Sequence, residues 1–272
     1  MSAVTASFLD RIVEVRRAAV AATWGVLSPA DLELLACCAR PPRDFEAALR
    51  DPGSVAVIGE MKKASPSAGP IAPTVEASKQ ALHYQRGGAA AISVLTEPSE
   101  FLGSFADLSD VADAVDVPVL CKDFVVDPVQ LLVARGHCAD AVLLMVSVLG
   151  DELGAYLDLA STLRLQCLVE VVSRRELETA LRAGASLAAV NARDLHSLSV
   201  DLASAGPLIA EAKRYGITVV HASGVRSRVD VEAAAAAGAD AVLVGETLMR
   251  APFPEDVLAE LTGVAKAASV IG

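Results

Sequence analysis

The feature that most constrains this chain is a regular alternation of short apolar runs with longer helical patterns, which begins near Ser54. The runs are rich in Val, Leu, Ile and Ala, a composition typical of strands that are buried on both faces of a parallel sheet. Eight such runs occupy residues 55–58, 90–95, 117–121, 141–145, 167–172, 187–190, 217–221 and 241–244. Strands that alternate with helices predict consecutive βαβ units.

Helical patterns fill the intervals between these runs, at residues 75–86, 104–114, 128–135, 151–163, 174–183, 202–214, 229–237 and 254–267. Eight strand–helix units in 272 residues predict an α/β fold of the (β/α)8 TIM-barrel type, which needs about 250 residues. The alternative is an open doubly wound sheet, which usually carries a G-x-G-x-x-G turn after its first strand. The corresponding turn here is SPSAG, at residues 65–69, so we favour the barrel.

A segment of about fifty residues precedes the alternation, and it has helical patterns at 7–22, 29–39 and 44–49. The pair Ser28-Pro29 is typical of an N-cap residue followed by proline at the first helical position. We therefore predict a single barrel domain over residues 1–272, in which residues 1–50 form an N-terminal helical extension. We expect this extension to cover one end of the barrel.

The net charge of −11 and the pI near 4.8 argue against a nucleic-acid-binding protein and against binding to an anionic membrane. The sequence shows no transmembrane run and no signal-peptide core, so we expect a cytoplasmic protein. Its five cysteines lack metal-ligand spacing, and we expect them to be reduced. A small anionic substrate is still compatible with this charge, because a local cluster of cations and amides can oppose it. The sequence leaves open a monomer or a weak homo-oligomer.

Polar side chains follow the predicted strands at their carboxyl ends, which is where the active sites of TIM barrels lie. The side-chain period of two places Glu60 and Lys62 on the inward face of the first strand. Glu170 interrupts an apolar run, and a buried carboxylate is costly unless it is paired or functional. The full set is Glu60, Lys62, Lys122, Glu170, Asn191 and Arg193. We therefore predict a general acid–base site without a metal ion.

The last two predicted strands end in small, glycine-containing turns, Ser223-Gly224 and Gly245-Glu246. Such turns present backbone N–H groups, and a phosphate site after strands seven and eight recurs in TIM barrels. We predict a phosphate-binding site at these turns, followed by a short helix near Thr247.

Five segments of the chain resemble, in order and spacing, those of the indole-3-glycerol-phosphate synthase family of tryptophan biosynthesis. They are GEMKKASPSAG, LCKDFVVDP, LVEVV, VNARDL and GADAVLVGETLM, within residues 55–249. The resemblance implies a carboxy-lyase that closes the ring of 1-(2-carboxyphenylamino)-1-deoxyribulose 5-phosphate with loss of CO₂ and water. It also implies that no cofactor is needed, and that the partner of the chain is this small phosphorylated substrate.

The resemblance also implies a role for each matched residue. Lys122 is the general acid for ring closure, and Glu170 transfers a proton during dehydration. Lys62 contacts the substrate carboxylate, while Glu60 and Asn191 position the lysines and the anilino group. The residues implied around the phosphate are Ser65, Arg193, Ser223, Gly224, Gly245 and Glu246. Those implied in the aromatic pocket are Phe101 and Phe124.

One position departs from the family pattern, because Ala222 stands where the family has the glutamate of an E-S-G motif. The period of two directs Ala222 into the barrel and His221 towards the helices, so we expect His221 to be packed rather than catalytic. The departure leaves three readings open: the ordinary synthase, a paralogue acting on a related phosphorylated anthranilate adduct, and a barrel that binds such a ligand without turnover. Glu246 is also unfavourable beside a phosphate unless its side chain turns away.

Overall fold

The computed structural model describes residues 7–24, 28–50, 53–194 and 201–267. The barrel strands are β1 Ala56–Met61, β2 Ala91–Leu95, β3 Val119–Lys122, β4 Ala141–Met145, β5 Gln166–Val171, β6 Leu187–Asn191, β7 Thr218–Ala222 and β8 Ala241–Val244. All eight pair in parallel, and β1 pairs with both β2 and β8, which closes the barrel. The predicted (β/α)8 barrel is confirmed.

Helices occupy the segments between the strands and the N-terminal extension. They are α1 Phe8–Trp24, α2 Pro29–Cys38, α3 Phe45–Leu49, α4 Ala77–Arg86, α5 Phe105–Ala114, α6 Val129–Gly136, α7 Val146–Leu149, α8 Leu153–Thr162, α9 Arg174–Arg182, α10 Leu202–Lys213, α11 Arg228–Ala237, α12 Glu246–Arg250 and α13 Pro254–Leu261. Several begin at a serine cap: the Ser28 hydroxyl accepts the N–H of Asp31 at 3.2 Å, and that of Ser104 accepts the N–H of Asp107 at 3.0 Å.

The C-terminal helix is shorter than the sequence pattern indicates, because α13 ends at Leu261 and not at residue 267. Gly263 has φ +69°, a left-handed conformation that does not continue a helix. The chain then runs back along the barrel, where the Val264 carbonyl accepts the N–H of Val55 at 2.8 Å. The predicted helix over 254–267 is therefore wrong in its last turns.

Two apolar cores are separated by the barrel wall. Inward-pointing side chains such as Ile58, Leu120 and Leu168 fill the barrel, and outward-pointing ones such as Val57 and Val169 pack against the helices. This alternation follows from the side-chain period of two. Each strand therefore supplies one set of residues that packs against the helices and a separate set that fills the barrel interior.

The N-terminal extension contacts both ends of the barrel, and not one end as expected from the sequence. At the N-terminal ends of the strands, Phe45 and Leu49 of α3 are fully buried, and the Glu46 N–H donates to the Gln166 side chain at 2.9 Å. At the opposite end, Arg16 of α1 forms a buried two-point ion pair with Asp123, with contacts of 2.8 and 2.5 Å. The extension therefore spans the barrel from one end to the other.

A buried carboxylate joins the extension to the start of β4. Asp140 is fully buried, and its two oxygens accept from Arg40 Nη1 at 2.7 Å and Nη2 at 3.0 Å. The same carboxylate accepts the backbone N–H groups of Arg43 at 2.7 Å and Val119 at 2.8 Å. Four donors thus compensate the burial of this charge.

Candidate active site

A cavity of about 330 Å³ opens at the carboxyl ends of the strands. Every site residue proposed from the sequence lines this cavity. They are Glu60, Lys62, Ser65, Phe101, Lys122, Phe124, Glu170, Asn191, Arg193, Ser223, Gly224, Gly245 and Glu246. The structure thus brings the predicted residues together, while their individual chemical roles stay predictions.

The floor of the cavity contains one layer of four inward-pointing residues from alternate strands: Glu60, Lys122, Glu170 and Ala222. In a barrel of this type each layer takes side chains from every second strand, and the level rises by two residues between them. When the register is followed around the barrel, with a rise of two residues at every second strand, the path passes through these four residues and returns to Glu60. Three of the four residues are charged, and the fourth is alanine.

Glu60 is the centre of the charge cluster. Its Oε2 lies 2.7 Å from Lys62 Nζ, and its Oε1 lies 3.9 Å from Lys122 Nζ. Burial raises the pKa of Glu60, but the charges of Lys62, Lys122 and Arg193 outweigh this effect and hold the pKa below its usual value. Glu60 therefore stays ionised and orients the ammonium group of Lys62.

The close packing around Glu60 depends on a glycine in the neighbouring strand end. A Cβ atom on Gly245 would lie 2.2 Å from Glu60 Oε2 and 3.2 Å from Lys62 Nζ. A larger residue at this position would displace the ion pair. The glycine predicted for phosphate binding therefore also makes room for the acid–base cluster.

Glu170 is the least compensated charge on the floor. Glu170 is only 3% exposed, and within the described ranges no protein group donates a hydrogen bond to its carboxylate. Asn191 is similarly buried, and its Oδ1 accepts the N–H of Arg193 at 2.9 Å. The N–H₂ group of the Asn191 amide has no acceptor among the described residues.

One side of the cavity is aromatic. The rings of Phe101 and Phe124 have centroids 6.1 Å apart and are tilted by 44°. The loop that carries Phe101 is organised by the buried Glu97 carboxylate, which accepts N–H groups from Ser99 at 2.8 Å, Glu100 at 2.7 Å and Phe101 at 3.2 Å. Sequence reasoning did not identify Glu97, although a carboxylate two residues after the end of β2 is a signal comparable to that of Lys122 at the end of β3.

The opposite side is formed by the turns after β7 and β8. Ser223 and Gly224 have φ +70° and +85°, so the chain reverses tightly there. Glu246 lines the cavity and pairs with Arg250, with 2.9 Å between Oε1 and Nε. Arg250 thus offsets the negative charge of Glu246 beside the predicted phosphate turns, and Arg226 adds a further cation to the cavity lining that sequence reasoning missed.

Asp123 lines the cavity next to Lys122, and the sequence analysis did not include it. Besides Arg16, it accepts the Thr96 hydroxyl at 2.8 Å and the Phe124 N–H at 2.8 Å. Burial raises the pKa of Asp123, and these donors oppose that shift. This residue therefore holds the end of β3 against α1.

His221 lies on the outer face of β7, opposite Val190 and Val242 in register. It is 7% exposed, it does not line the cavity, and neither ring nitrogen has a hydrogen-bond partner among the described residues. Burial lowers its pKa, against the opposing charge of Asp230. His221 is thus packed behind the strand, as its position in the sequence indicates.

The described residues contain no group of three or more His, Cys, Asp or Glu side chains arranged to hold a metal ion. Among these same residues, no helix is long and apolar enough to cross a bilayer.

A sequence model of the indole-3-glycerol phosphate synthase family matches residues 9–261. The chain belongs to this family. Indole-3-glycerol phosphate synthase from Mycobacterium avium is 46% identical to it over 257 residues, which is 94% of each chain. The synthase from Mycobacterium tuberculosis is 45% identical over the same length and coverage.

Solved structures outside the indole-3-glycerol phosphate synthase family share the barrel fold. Tryptophan synthase from M. tuberculosis superposes with a TM-score of 0.60 at 16% identity, and covers 81% of this chain and 97% of its own. A 3-hexulose-6-phosphate synthase superposes with a TM-score of 0.61 at 16% identity, and covers 76% of this chain and 98% of its own. At this level of identity the similarity supports the fold alone.

Proposed function

We propose that the protein is a working indole-3-glycerol-phosphate synthase, a carboxy-lyase of tryptophan biosynthesis that acts on 1-(2-carboxyphenylamino)-1-deoxyribulose 5-phosphate. The observation that carries this proposal is the arrangement of the cavity. Two lysine ammonium groups flank the Glu60 carboxylate on the floor, between aromatic rings on one side and glycine turns on the other. Family membership and 45–46% identity to synthases over 94% of the chain support the same conclusion.

The two sides of the cavity match the two ends of this substrate. Phe101 and Phe124 offer apolar surface to the anthranilate ring. The backbone N–H groups of the turns at Ser223, Gly224 and Gly245, together with the Arg193 side chain, are suited to the phosphate. A substrate held at both ends stretches across the charged layer, where its reacting atoms meet the lysines.

Ring closure joins the aromatic carbon that bears the carboxylate to the ketone carbon of the sugar chain. The ketone oxygen gains negative charge in this step and takes a proton, which we assign to the Lys122 ammonium group. Its closest carboxylate among the described residues is 3.9 Å away, so its protons are free to face the substrate. An ammonium group in a water-poor site stabilises developing negative charge strongly.

Decarboxylation follows from the same intermediate. The bond to the carboxyl carbon breaks, CO₂ leaves, and the electron pair restores the aromatic ring. Lys62, held by Glu60 at 2.7 Å, is placed to bind the carboxylate before this step and to orient it.

Dehydration completes the indole ring. The hydroxyl leaves as water after it gains a proton, and the chain carbon beside the nitrogen loses a proton to a base. We assign the base to Glu170, because no protein group among the described residues donates a hydrogen bond to its carboxylate. We further propose that the enzyme acts in the cytoplasm as one barrel domain, as a monomer or weak homo-oligomer, without nucleic acid or membrane.

The test is to mix the purified protein with the carboxyphenylamino sugar phosphate and to follow the rise of indole fluorescence. We expect saturable turnover, and release of one CO₂ per indole formed. Binding of the substrate without any fluorescence change would contradict the synthase and favour a non-catalytic barrel. Turnover only of a modified anthranilate adduct would favour the paralogue instead.

A further inference from the structure

The charged layer on the cavity floor has a gap at its fourth position. Glu60, Lys122 and Glu170 fill three of its positions, and Ala222 offers only a methyl group at the fourth. The next layer of inward-pointing residues, towards the barrel interior, includes Leu143 and Leu243. A larger side chain at position 222 would cover this layer. Both leucines line the cavity. The open space therefore extends through the layer.

Two hydrogen-bond donors in or beside this layer have no acceptor within hydrogen-bonding distance among the described residues. Asn191 is directly opposite Ala222 in register. Its Oδ1 accepts the Arg193 N–H, and its Nδ2 group has no acceptor among the described residues. The Lys122 ammonium group is 3.9 Å from its closest carboxylate, Glu60, which lies 2.7 Å from Lys62. Glu60 is thus the one carboxylate among the described residues within 4 Å of either lysine, and the fourth position of the layer leaves room for another acceptor.

We propose that the gap beside Ala222 binds a small carboxylate anion, such as formate or acetate, and that this anion activates the enzyme. The atoms by which a glutamate side chain exceeds alanine are those of an acetate ion, so the fit concerns size as well as charge. The bound anion accepts from Asn191 Nδ2 and from Lys122, and orients the ammonium group towards the ketone. This inference rests on the proposed function for its kinetic effect, but its binding step does not.

The kinetic test is a titration of formate against kcat/KM at constant ionic strength, with chloride as the balancing anion. For the natural protein we expect a saturable increase of roughly 2- to 10-fold, the gain from one hydrogen bond of ordinary net strength. Ala222→Gly keeps the space and should respond equally. Ala222→Leu fills it without charge and should not respond. Ala222→Glu should start from a higher kcat/KM and gain nothing from formate.

Binding is tested separately by thermal unfolding, because a ligand that binds only the folded state raises its Tm. We expect formate to raise the Tm of the natural protein and of Ala222→Gly above that measured in chloride, and to leave Ala222→Leu unchanged. Equal shifts in all variants would overturn the proposal as a general salt effect. Competitive inhibition by formate would also overturn it, since the substrate itself would then need the space.

The two proposals fail in different ways. Normal turnover with no formate response in kcat/KM or Tm would overturn the anion site and leave the synthase intact. A formate-dependent Tm that is lost in Ala222→Leu, combined with no turnover under any condition, would support the anion site and contradict the synthase.

Discussion

Charged side chains are buried at both ends of the barrel, but those on the cavity floor have fewer partners than Asp140 at the other end. At the N-terminal ends of the strands, Asp140 accepts four hydrogen bonds, two of them from the Arg40 guanidinium. At the carboxyl ends, the Glu170 carboxylate has no donor among the described residues, and Lys122 approaches Glu60 only to 3.9 Å. Both places bury acidic and basic side chains, and the number of partners differs.

This difference separates stability from function. A buried charge with its partners in place holds elements together, whereas one without partners is a cost that a ligand can relieve. In TIM barrels the N-terminal face generally serves stability and the carboxyl face carries the chemistry. Substitutions at the two ends should therefore change different measurements.

The largest expected effect is the loss of turnover in Lys122→Ala. Removing one positioned general acid should lower kcat by roughly 10²- to 10⁴-fold. The Tm should change little, because this ammonium group makes no hydrogen bond within the described residues. Lys79→Ala is the matched control, since Lys79 is 71% exposed on α4. Near-normal kcat in Lys122→Ala would remove Lys122 from the role of acid.

The next effect should appear at the opposite end, in Asp140→Ala. Breaking a buried ion pair leaves the arginine uncompensated and should lower the free energy of unfolding by about 3–5 kcal/mol. Urea denaturation measures this loss, and Asp158→Ala on the exposed face of α8 is the control. The kcat of the folded fraction should be unchanged. A large fall in kcat with normal stability would break the division between the two ends.

Glu170→Gln should give a smaller loss of activity than Lys122→Ala. Glutamine keeps the shape of the side chain and removes its ability to accept a proton, so we expect kcat to fall by roughly 10²-fold with little change in KM. Steady-state kinetics from indole fluorescence separates the two constants. If kcat survives and KM rises, Glu170 binds substrate and does not transfer a proton.

The smallest effect concerns His221, which is buried on the outer face of β7 and does not line the cavity. Because burial lowers its pKa in the folded state, the unfolded chain binds a proton that the folded chain resists. The contribution of His221 to the free energy of unfolding should be fully present above the ordinary histidine pKa of about 6.5. As the pH drops below that value, the free energy of unfolding should decrease by at most about 1.4 kcal/mol per pH unit. His221→Leu should flatten this dependence in urea titrations between about pH 5.5 and 7.5.

His137 is a second source of the same pH dependence, because burial lowers its pKa as well. The comparison is therefore between His221→Leu and the natural protein at each pH, with His137 present in both. An identical pH dependence in the two proteins would show that His221 does not titrate in this way.

The sequence was sufficient for those features that depend on the period of two. It placed Glu60 and Ala222 inside the barrel and His221 outside, and the structure confirms all three positions. The order of strands and helices followed from another local pattern, the alternation of short apolar runs with helical segments. These features are local, so each can be read from a few neighbouring residues.

Features that depend on distant contacts were missed. The Arg16–Asp123 pair joins residues 107 positions apart, and no local pattern marks Arg16 among the other arginines of α1. The end of α13 was misplaced because Gly263 and the contact of Val264 with Val55 stop the helix, although the composition of residues 262–267 suits one. Propensity is a weak prior where tertiary contacts decide.

The contacts of the extension have a consequence for biosynthesis. The extension leaves the ribosome before the barrel, and Asp123 and Asp140, which receive its arginines, follow about a hundred residues later. The barrel itself closes only when β8 pairs with β1, Ala56 opposite Ala241. Until then the apolar side chains of α1 and α3 have no complete surface to cover, and partly made chains expose them. We therefore expect nascent chains that stop before β8 to depend on chaperones more than the finished protein does.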